Sequence, residues 1–234
     1  MIAAQRAVAR WTDFPVSVEP RPLVLLHGPV QIERGFSSGS AKVAFGLGQV
    51  EADEGIPAEV LRSLRVPRVW TPNPPDARLR VSAAVRGEVD FATDRGVQAL
   101  PAWRVDAVDA LRPIWVLTER LQSRCWAPPA PVSAEPLGPH ILSSGTIGPD
   151  GRDVVVTFVG GKEQLFRYDV EVVQAPTAVS VVPLRRPTDA LSAGAFVTLE
   201  GHARTVAVRL EGPLGARVLV NLDGTPVPVT PASL

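Results

Sequence analysis

The sequence contains few cysteine and aromatic residues, which cross-link small folds or fill their cores. Its 234 residues include one cysteine, one methionine and one tyrosine, and aromatic residues make up only 6%. Because Cys125 is the only cysteine, an internal disulfide is excluded and the chain is not a disulfide scaffold. Valine, leucine and alanine must therefore supply most of the core.

Long apolar runs and an excess of either charge are also missing. No stretch approaches the ~20 apolar residues of a membrane span, so we expect no membrane insertion. Residues 1–14 lack the apolar segment of a signal peptide, because Gln5, Arg6 and Arg10 interrupt it. We therefore predict a cytoplasmic protein, or an exported one if the true start lies upstream of Met1. The 24 basic and 24 acidic residues balance, which disfavours nucleic acid as a partner.

Proline and glycine are abundant and mark the domain organisation. The chain has 24 prolines and 19 glycines, which argues against long helices. The run APPAPVSAEPLGP at residues 127–139 contains five prolines, and its composition predicts a semi-rigid, extended linker. The predicted organisation is a tryptophan-containing β-rich domain over residues 1–127, a proline-rich linker over 128–139, and a small antiparallel β domain over 140–234.

Local patterns in the first half predict strands and little helix. Residues 57–65 form the best predicted helix, because a proline occupies the first position and Val60, Leu61 and Leu64 share one face. Residues 78–92 alternate and predict a hairpin that turns at Gly87-Glu88, and residues 97–108 and 114–117 predict further strands. The apolar run 41–47 contains and precedes glycines, which argues against a helix. Since strands and helices do not alternate in this interpretation, a parallel α/β sheet is not expected.

The second half shows short, valine-rich segments separated by turn residues. These segments are 154–159, 168–173, 178–184, 205–210 and 217–222. Evenly spaced strands without intervening helices predict an antiparallel sheet or sandwich. The predicted fold class is mainly β, with two β-rich domains, the second sandwich-like, and one or two short helices in the first.

The pentapeptide Gly35-Phe36-Ser37-Ser38-Gly39 matches the G-x-S-x-G motif of serine hydrolases. His27-Gly28 upstream looks like the turn that supplies an oxyanion donor in α/β-hydrolases. Ser37 would be the nucleophile, with His140 or His202 as the base. The candidate acids are Asp90, Asp94, Asp106 and Asp109. The context argues against this chemistry, because only six residues separate Gly28 from Gly35 and no helix is expected after Gly39.

Metal and cofactor motifs are missing from the sequence. The three histidines lie far apart, and no histidine or cysteine pair has the spacing of metal ligands. No glycine-rich phosphate loop is complete either, since Lys42 follows an alanine instead of the glycine of a P-loop. We therefore expect no metal and no cofactor.

Tryptophan is concentrated before the predicted linker. The five tryptophans are Trp11, Trp70, Trp103, Trp115 and Trp126. Tryptophan is enriched at binding hot spots, although it also fills small cores that are poor in other aromatics. Arg95, close to Trp103 in sequence, lies in either a salt-bridged turn or a polar recognition loop. Arg95, Trp103 and Trp126 are the candidate binding residues.

Two sequence segments resemble those of a group of two-part β-rich proteins of high-GC Gram-positive bacteria. The first is TDRG (93–96) followed by LPAWR (100–104); the second is RTVAVRL (204–210) followed by PLGAR and DGTPV. Order and spacing also match, and the resemblance implies two linked β-rich parts and no particular chemistry. Many members look exported or lipid-anchored and carry a cysteine pair in the final domain. Here Lys162 and Phe196 lie roughly where those cysteines are expected, which fits a protein of the reducing cytoplasm.

The leading hypothesis from these observations is a non-enzymatic binding or protein-interaction protein whose partner is another protein. One alternative is a serine hydrolase that uses Ser37. A second alternative is a structural subunit of a larger assembly. The oligomeric state does not follow from the sequence.

Overall fold

The computed structural model describes residues 2–69, 71, 76–128, 141–190 and 200–232. It is 44% strand and 14% helix, which confirms the prediction of a mainly β protein. The described elements are α1 (Ile2–Ala9), β1 (Val30–Ile32), α2 (Gly39–Leu47), β2 (Val50–Ala52), α3 (Ala58–Leu64), β3 (Leu79–Thr93), β4 (Gly96–Ala107), β5 (Ile114–Leu117), α4 (Glu119–Gln122), β6 (Leu142–Ile147), β7 (Asp153–Gly160), β8 (Phe166–Gln174), β9 (Ala178–Pro187), β10 (His202–Arg209), β11 (Val218–Val220) and β12 (Val229–Pro231).

The chain divides into two compact units. Unit 1 consists of the described residues within 1–26, 93–96 and 126–234, and unit 2 of those within 27–92 and 97–125. Most of the predicted linker, residues 129–139, lies outside the described residues, as do Trp70, His140 and Phe196. The predicted domain boundaries therefore stay a prediction.

Unit 2 is built on a five-stranded sheet in the order β1-β5-β4-β3-β2. β1 and β4 both pair with β5 in antiparallel register, whereas β2 pairs with β3 in parallel register. Apolar residues of α2 and α3 pack with those of β3, β4 and β5 in one core. Its fully buried members include Ala44, Val60, Leu64, Leu79, Val105 and Ile114. The helix predicted at residues 57–65 is confirmed as α3, and the strand predicted at 114–117 is confirmed as β5.

The apolar run at residues 41–47 is helical, and the expectation of a non-helical segment is wrong. Ser38 caps α2, since its side chain accepts a hydrogen bond from the N–H of Ala41. Gly48 adopts φ +68°, the left-handed conformation that commonly ends helices. Gly46 is inside the helix, where a Cβ would lie 2.9 Å from Val69 Cγ2. These glycines therefore end and pack the helix instead of preventing it.

The hairpin predicted at Gly87-Glu88 is also wrong, because β3 runs through both residues without a turn. A Cβ on Gly87 would lie 3.2 Å from the ring of Trp115, so this glycine marks the close approach of an indole. Helices also alternate with strands from β1 to β3, contrary to expectation, and β2 pairs with β3 in parallel, whereas β5 pairs antiparallel with both β1 and β4. The structure describes four helices where one or two were predicted.

Unit 1 contains a β-sandwich, as predicted. A four-stranded sheet, β10-β7-β6-β12, and a three-stranded sheet, β11-β9-β8, contribute side chains to one core. Members of that core include Val156 and Phe158 of β7, Val179 of β9 and Leu219 of β11. The pairs β10–β7, β6–β7 and β8–β9 are antiparallel, whereas β11–β9 and β12–β6 are parallel.

The N-terminal helix α1 packs on the sandwich within unit 1. Its Ala7 and Val8 are buried with Trp11 and with Ala178 and Val220 of the three-stranded sheet. Among the residues that the structure describes, none of the helices combines the length and the apolarity needed to cross a membrane.

Candidate functional site

Trp103 is held in β4 of unit 2 by a hydrogen bond and a stacked guanidinium. Its indole Nε1 donates to Oε1 of Glu59, in α3, across 2.7 Å. The guanidinium carbon of Arg86, in β3, lies 5.0 Å from the centroid of the Trp103 ring, within cation–π distance. The indole is half-buried. It therefore provides a fixed surface that orients the Arg86 side chain.

Glu59 accepts hydrogen bonds from two neutral donors. While Oε1 binds the indole, Oε2 accepts from the backbone N–H of Glu119 across 3.0 Å. Glu119 is the first residue of α4, so this one carboxylate joins α3, the indole on β4 and the start of α4. Within the described residues, Glu59 forms no ion pair with an arginine.

The short helix α4 is tied to α3 by further polar contacts. Gln122 Nε2 donates to Ser63 Oγ across 2.9 Å and also to the carbonyl of Leu117. The guanidinium of Arg62 forms an ion pair with Glu119. These contacts place α4 and the residues after it at a defined position in unit 2, although α4 has only four residues.

A cleft of about 350 Å³ lies between these elements. We call it the arginine cleft, and all of its lining residues belong to unit 2. They are Glu59, Arg86, Pro101, Thr118, Arg120, Leu121 and Arg124.

The three arginines of the cleft have no carboxylate partner in the described part of the chain. Arg86, Arg120 and Arg124 are exposed, and no hydrogen bond or ion pair of their guanidinium groups occurs there. Other arginines of unit 2 are paired, as in Arg80–Asp53 and Arg104–Asp106. The cleft thus collects planar cationic groups that match the oxygens of carboxylates and phosphates.

Thr118 adds a hydroxyl to the same cleft, and this hydroxyl has no hydrogen-bond partner in the part of the chain that the structure describes. It is the N-cap residue of α4, but its side chain makes no capping hydrogen bond. Its backbone carbonyl accepts from the N–H groups of Leu121 and Gln122 instead. The hydroxyl is therefore available to a ligand in the cleft.

Arg95, a candidate binding residue, lies in unit 1 and contacts the backbone. Its Nη2 donates to the carbonyls of Gly215 and Arg217, each across 2.7 Å. Its Nε lies 3.7 Å from Asp94, whose carboxylate is 2% exposed and also accepts two bonds from Arg21. Burial lowers the pKa of Arg95. These contacts are those of a salt-bridged turn, and a binding role for Arg95 stays a prediction.

Trp126, another candidate, lies in an aromatic cluster of unit 1. Its ring centroid is 4.8 Å from that of Trp11 and 5.1 Å from that of Phe14. Trp11 is fully buried and donates from Nε1 to the carbonyl of Gly224. Beside the two indoles is a small cavity of about 200 Å³. Trp126 is therefore half-buried at the edge of a core, and its binding role stays a prediction.

Ser37, the nucleophile of the hydrolase alternative, contacts an aspartate. Its Oγ donates to Oδ1 of Asp109 across 3.0 Å, and its N–H donates to the Asp109 carbonyl. Contrary to expectation, a helix does follow Gly39. Among the described residues, however, no histidine is a hydrogen-bond partner of Ser37. His202 lies in unit 1, with Nε2 3.9 Å from Glu200, and His140 is outside the described residues. The hydrolase alternative stays a prediction.

The described residues give little support for metal binding or for thiol chemistry. They contain no group of three or more His, Cys, Asp or Glu side chains arranged to hold a metal. Cys125 is half-buried, and burial raises the pKa of its thiol to about 11. Its thiolate is therefore scarce at neutral pH.

Comparisons of the chain with protein-family models, with curated proteins and with solved structures found no match.

Of the candidate residues that the structure describes, only Trp103 contacts residues that line the arginine cleft. The cleft arginines escaped sequence reasoning because 22 of the 24 basic residues are arginines spread along the chain. The four-residue spacing of Arg120 and Arg124 is no signal either, because α4 ends at Gln122 and Arg124 lies in the turn that follows. Which arginines lack partners depends on the tertiary structure.

Proposed function

We propose that this protein is a non-enzymatic binding protein that recognises another protein through the arginine cleft of unit 2. The observation that carries this proposal is a set of three exposed arginines around one cleft, Arg86, Arg120 and Arg124, which have no carboxylate partner among the described residues. Arginine is among the residues most enriched at binding hot spots, and Trp103 contacts two residues that line this cleft, Glu59 and Arg86.

Electrostatics favour a protein partner over a nucleic acid. The chain carries no net charge, and several arginines of unit 2 outside the cleft are neutralised by nearby acids, as Arg80 is by Asp53. A nucleic-acid surface would need a basic stripe along many phosphates. A single cationic cleft matches an anionic segment of a protein instead.

Affinity capture with matched variants tests this function. The double variant Arg120→Gln/Arg124→Gln removes two cleft charges, while Arg112→Gln removes an exposed charge of unit 2 that does not line the cleft. Each tagged protein is incubated with native extract, and bound proteins are quantified by mass spectrometry. We expect wild type and Arg112→Gln to capture one partner in stoichiometric amount. The double variant should capture at least about tenfold less of it, the effect of losing one charged hydrogen bond.

Two outcomes would contradict the proposal. One is a partner retained equally by all three proteins, which would place the interface elsewhere. The other is a discrete high-mass assembly in gel filtration that the double variant leaves intact, which would favour the structural-subunit alternative.

A further inference from the structure

We propose that the arginine cleft binds a phosphate monoester, carried by a phosphorylated side chain of the partner protein. This inference rests on the proposed function and adds the chemistry of the recognised group. It follows from the charge, the hydrogen-bonding capacity and the size of the cleft.

The charge of the cleft matches a dianion. Three arginines contribute +3 and Glu59 contributes −1, so the lining residues sum to +2. A phosphate monoester carries about −1.5 to −2 at pH 7, whereas a carboxylate carries −1. A carboxylate would therefore leave about one positive charge of the cleft unmatched, and a phosphate monoester leaves almost none.

The only carboxylate in the lining is directed to other partners. Both oxygens of Glu59 accept hydrogen bonds from N–H groups, those of Trp103 and Glu119, at 2.7 and 3.0 Å. Glu59 therefore forms no ion pair with the cleft arginines. The guanidinium carbon of Arg86 also lies 5.0 Å from the centroid of the Trp103 ring, and this cation–π contact favours one position of the side chain before any ligand arrives. A preformed cationic group loses less side-chain entropy on binding.

Hydrogen-bond donors and size complete the match. Guanidinium groups donate paired hydrogen bonds to phosphate oxygens, and the hydroxyl of Thr118 can donate one more. A cavity of about 350 Å³ is larger than a phosphate group alone and leaves space for the side chain that carries it. Pro101 and Leu121 provide apolar surface for that side chain.

Calorimetric titration of the whole chain tests the recognised group. The probes are N-acetyl-phosphoserine amide, N-acetyl-serine amide and N-acetyl-glutamate amide. We expect the phosphoserine probe to bind at least about tenfold more tightly than the glutamate probe, and the serine probe not to bind. Each of the variants Arg120→Gln and Arg124→Gln should weaken phosphoserine binding about 10-fold or more, as expected for loss of a charged hydrogen bond. Arg112→Gln should bind like wild type.

Thermal unfolding of each variant, followed by circular dichroism, tests whether a variant that loses binding is still folded. Arg120 and Arg124 are exposed, so we expect wild-type melting curves. Equal affinity for the phosphoserine and glutamate probes would overturn the inference. So would phosphoserine binding that survives both substitutions, or tighter binding to single-stranded oligothymidylate than to phosphoserine.

Phosphatase treatment of the extract separates this inference from the proposed function. If capture of the partner requires Arg120 and Arg124 and is lost after phosphatase treatment, both are supported. If capture requires the arginines but survives phosphatase treatment, the proposed function stands and the phosphate inference is wrong.

Discussion

The indole N–H of Trp103 donates to a carboxylate oxygen of Glu59 across 2.7 Å, and the second oxygen of that carboxylate holds the backbone of α4. One acidic side chain therefore joins a helix, a strand and the segment that carries Arg120 and Arg124. We propose that Glu59 is a positioning residue, and that the arginines make the contacts with the partner.

Replacing Glu59 with glutamine should destabilise the fold. An amide side chain offers one acceptor oxygen and one NH₂ group, so one of the two N–H donors, on Trp103 or Glu119, loses its partner. We expect Glu59→Gln to lower the free energy of unfolding by about 1–2 kcal/mol, measured by urea titration of tryptophan fluorescence. The control is Glu54→Gln at an exposed position. A Glu59→Gln value within about 0.5 kcal/mol of wild type would contradict this role.

The ion pair of the buried Asp94 carboxylate, at the turn between β3 and β4, should contribute more to the stability of the fold than an exposed ion pair. Asp94 is 2% exposed and accepts from Arg21 across 3.1 and 2.5 Å, so Asp94→Asn removes the carboxylate partner of a guanidinium that is itself 19% exposed. We predict that Asp94→Asn lowers the free energy of unfolding by about 1.5–3 kcal/mol, measured by chemical denaturation. The matched control, Asp106→Asn, breaks the exposed pair with Arg104 and should cost about 0–1 kcal/mol. If both variants lost a similar amount of unfolding free energy, the buried pair would contribute no more to stability than the exposed pair.

Strands were easier to predict from the sequence than helices. β5 and the long strands of the sandwich follow from short valine-rich segments between turn residues, and these patterns do not depend on tertiary contacts. The helix α2 was missed because Gly48 reads as a helix breaker, whereas it ends the helix in a left-handed conformation. Gly87 was taken for a turn because its role, making room for Trp115, requires knowledge of the sheet.

The candidate site was predictable only through Trp103. The tryptophan stands out in a chain that is poor in aromatic residues, and the structure places it beside the arginine cleft. Arg95 also stood out, but it donates to backbone carbonyls of unit 1. Whether an arginine is neutralised by a nearby acid depends on which strands and helices meet. Sequence spacing alone therefore does not separate Arg120 from Arg104, which pairs with an acid.

The thiol of Cys125 should react slowly. Burial raises its pKa from 9.0 to about 11, so only about 0.1% is thiolate at pH 8. We expect alkylation by iodoacetamide at pH 8 to be at least about tenfold slower in the folded protein than in urea, with a rate that rises up to pH 11. Because the folded-state pKa is the higher one, this group stabilises the fold below pH 9, and that stability is lost as pH rises toward 11. Equal rates in both states would contradict the burial of this thiol.

A binding protein without catalytic activity should not be labelled by a fluorophosphonate probe at Ser37. The Ser37 hydroxyl donates to Asp109, and no histidine among the described residues accepts its proton. We expect equal, background labelling of wild type and Ser37→Ala on a fluorescent gel. Labelling of wild type that disappears in Ser37→Ala would support the serine hydrolase alternative instead.

Arginine footprinting in the captured complex tests the central claim most directly. Wild-type protein, free and bound to its partner, is treated with phenylglyoxal, and modification of each arginine is quantified by mass spectrometry. We predict that Arg86, Arg120 and Arg124 are protected in the complex, while Arg112 reacts equally in both samples. Equal modification of the three cleft arginines in the free and bound protein would show that the partner binds elsewhere, and the arginine cleft would not be the recognition site.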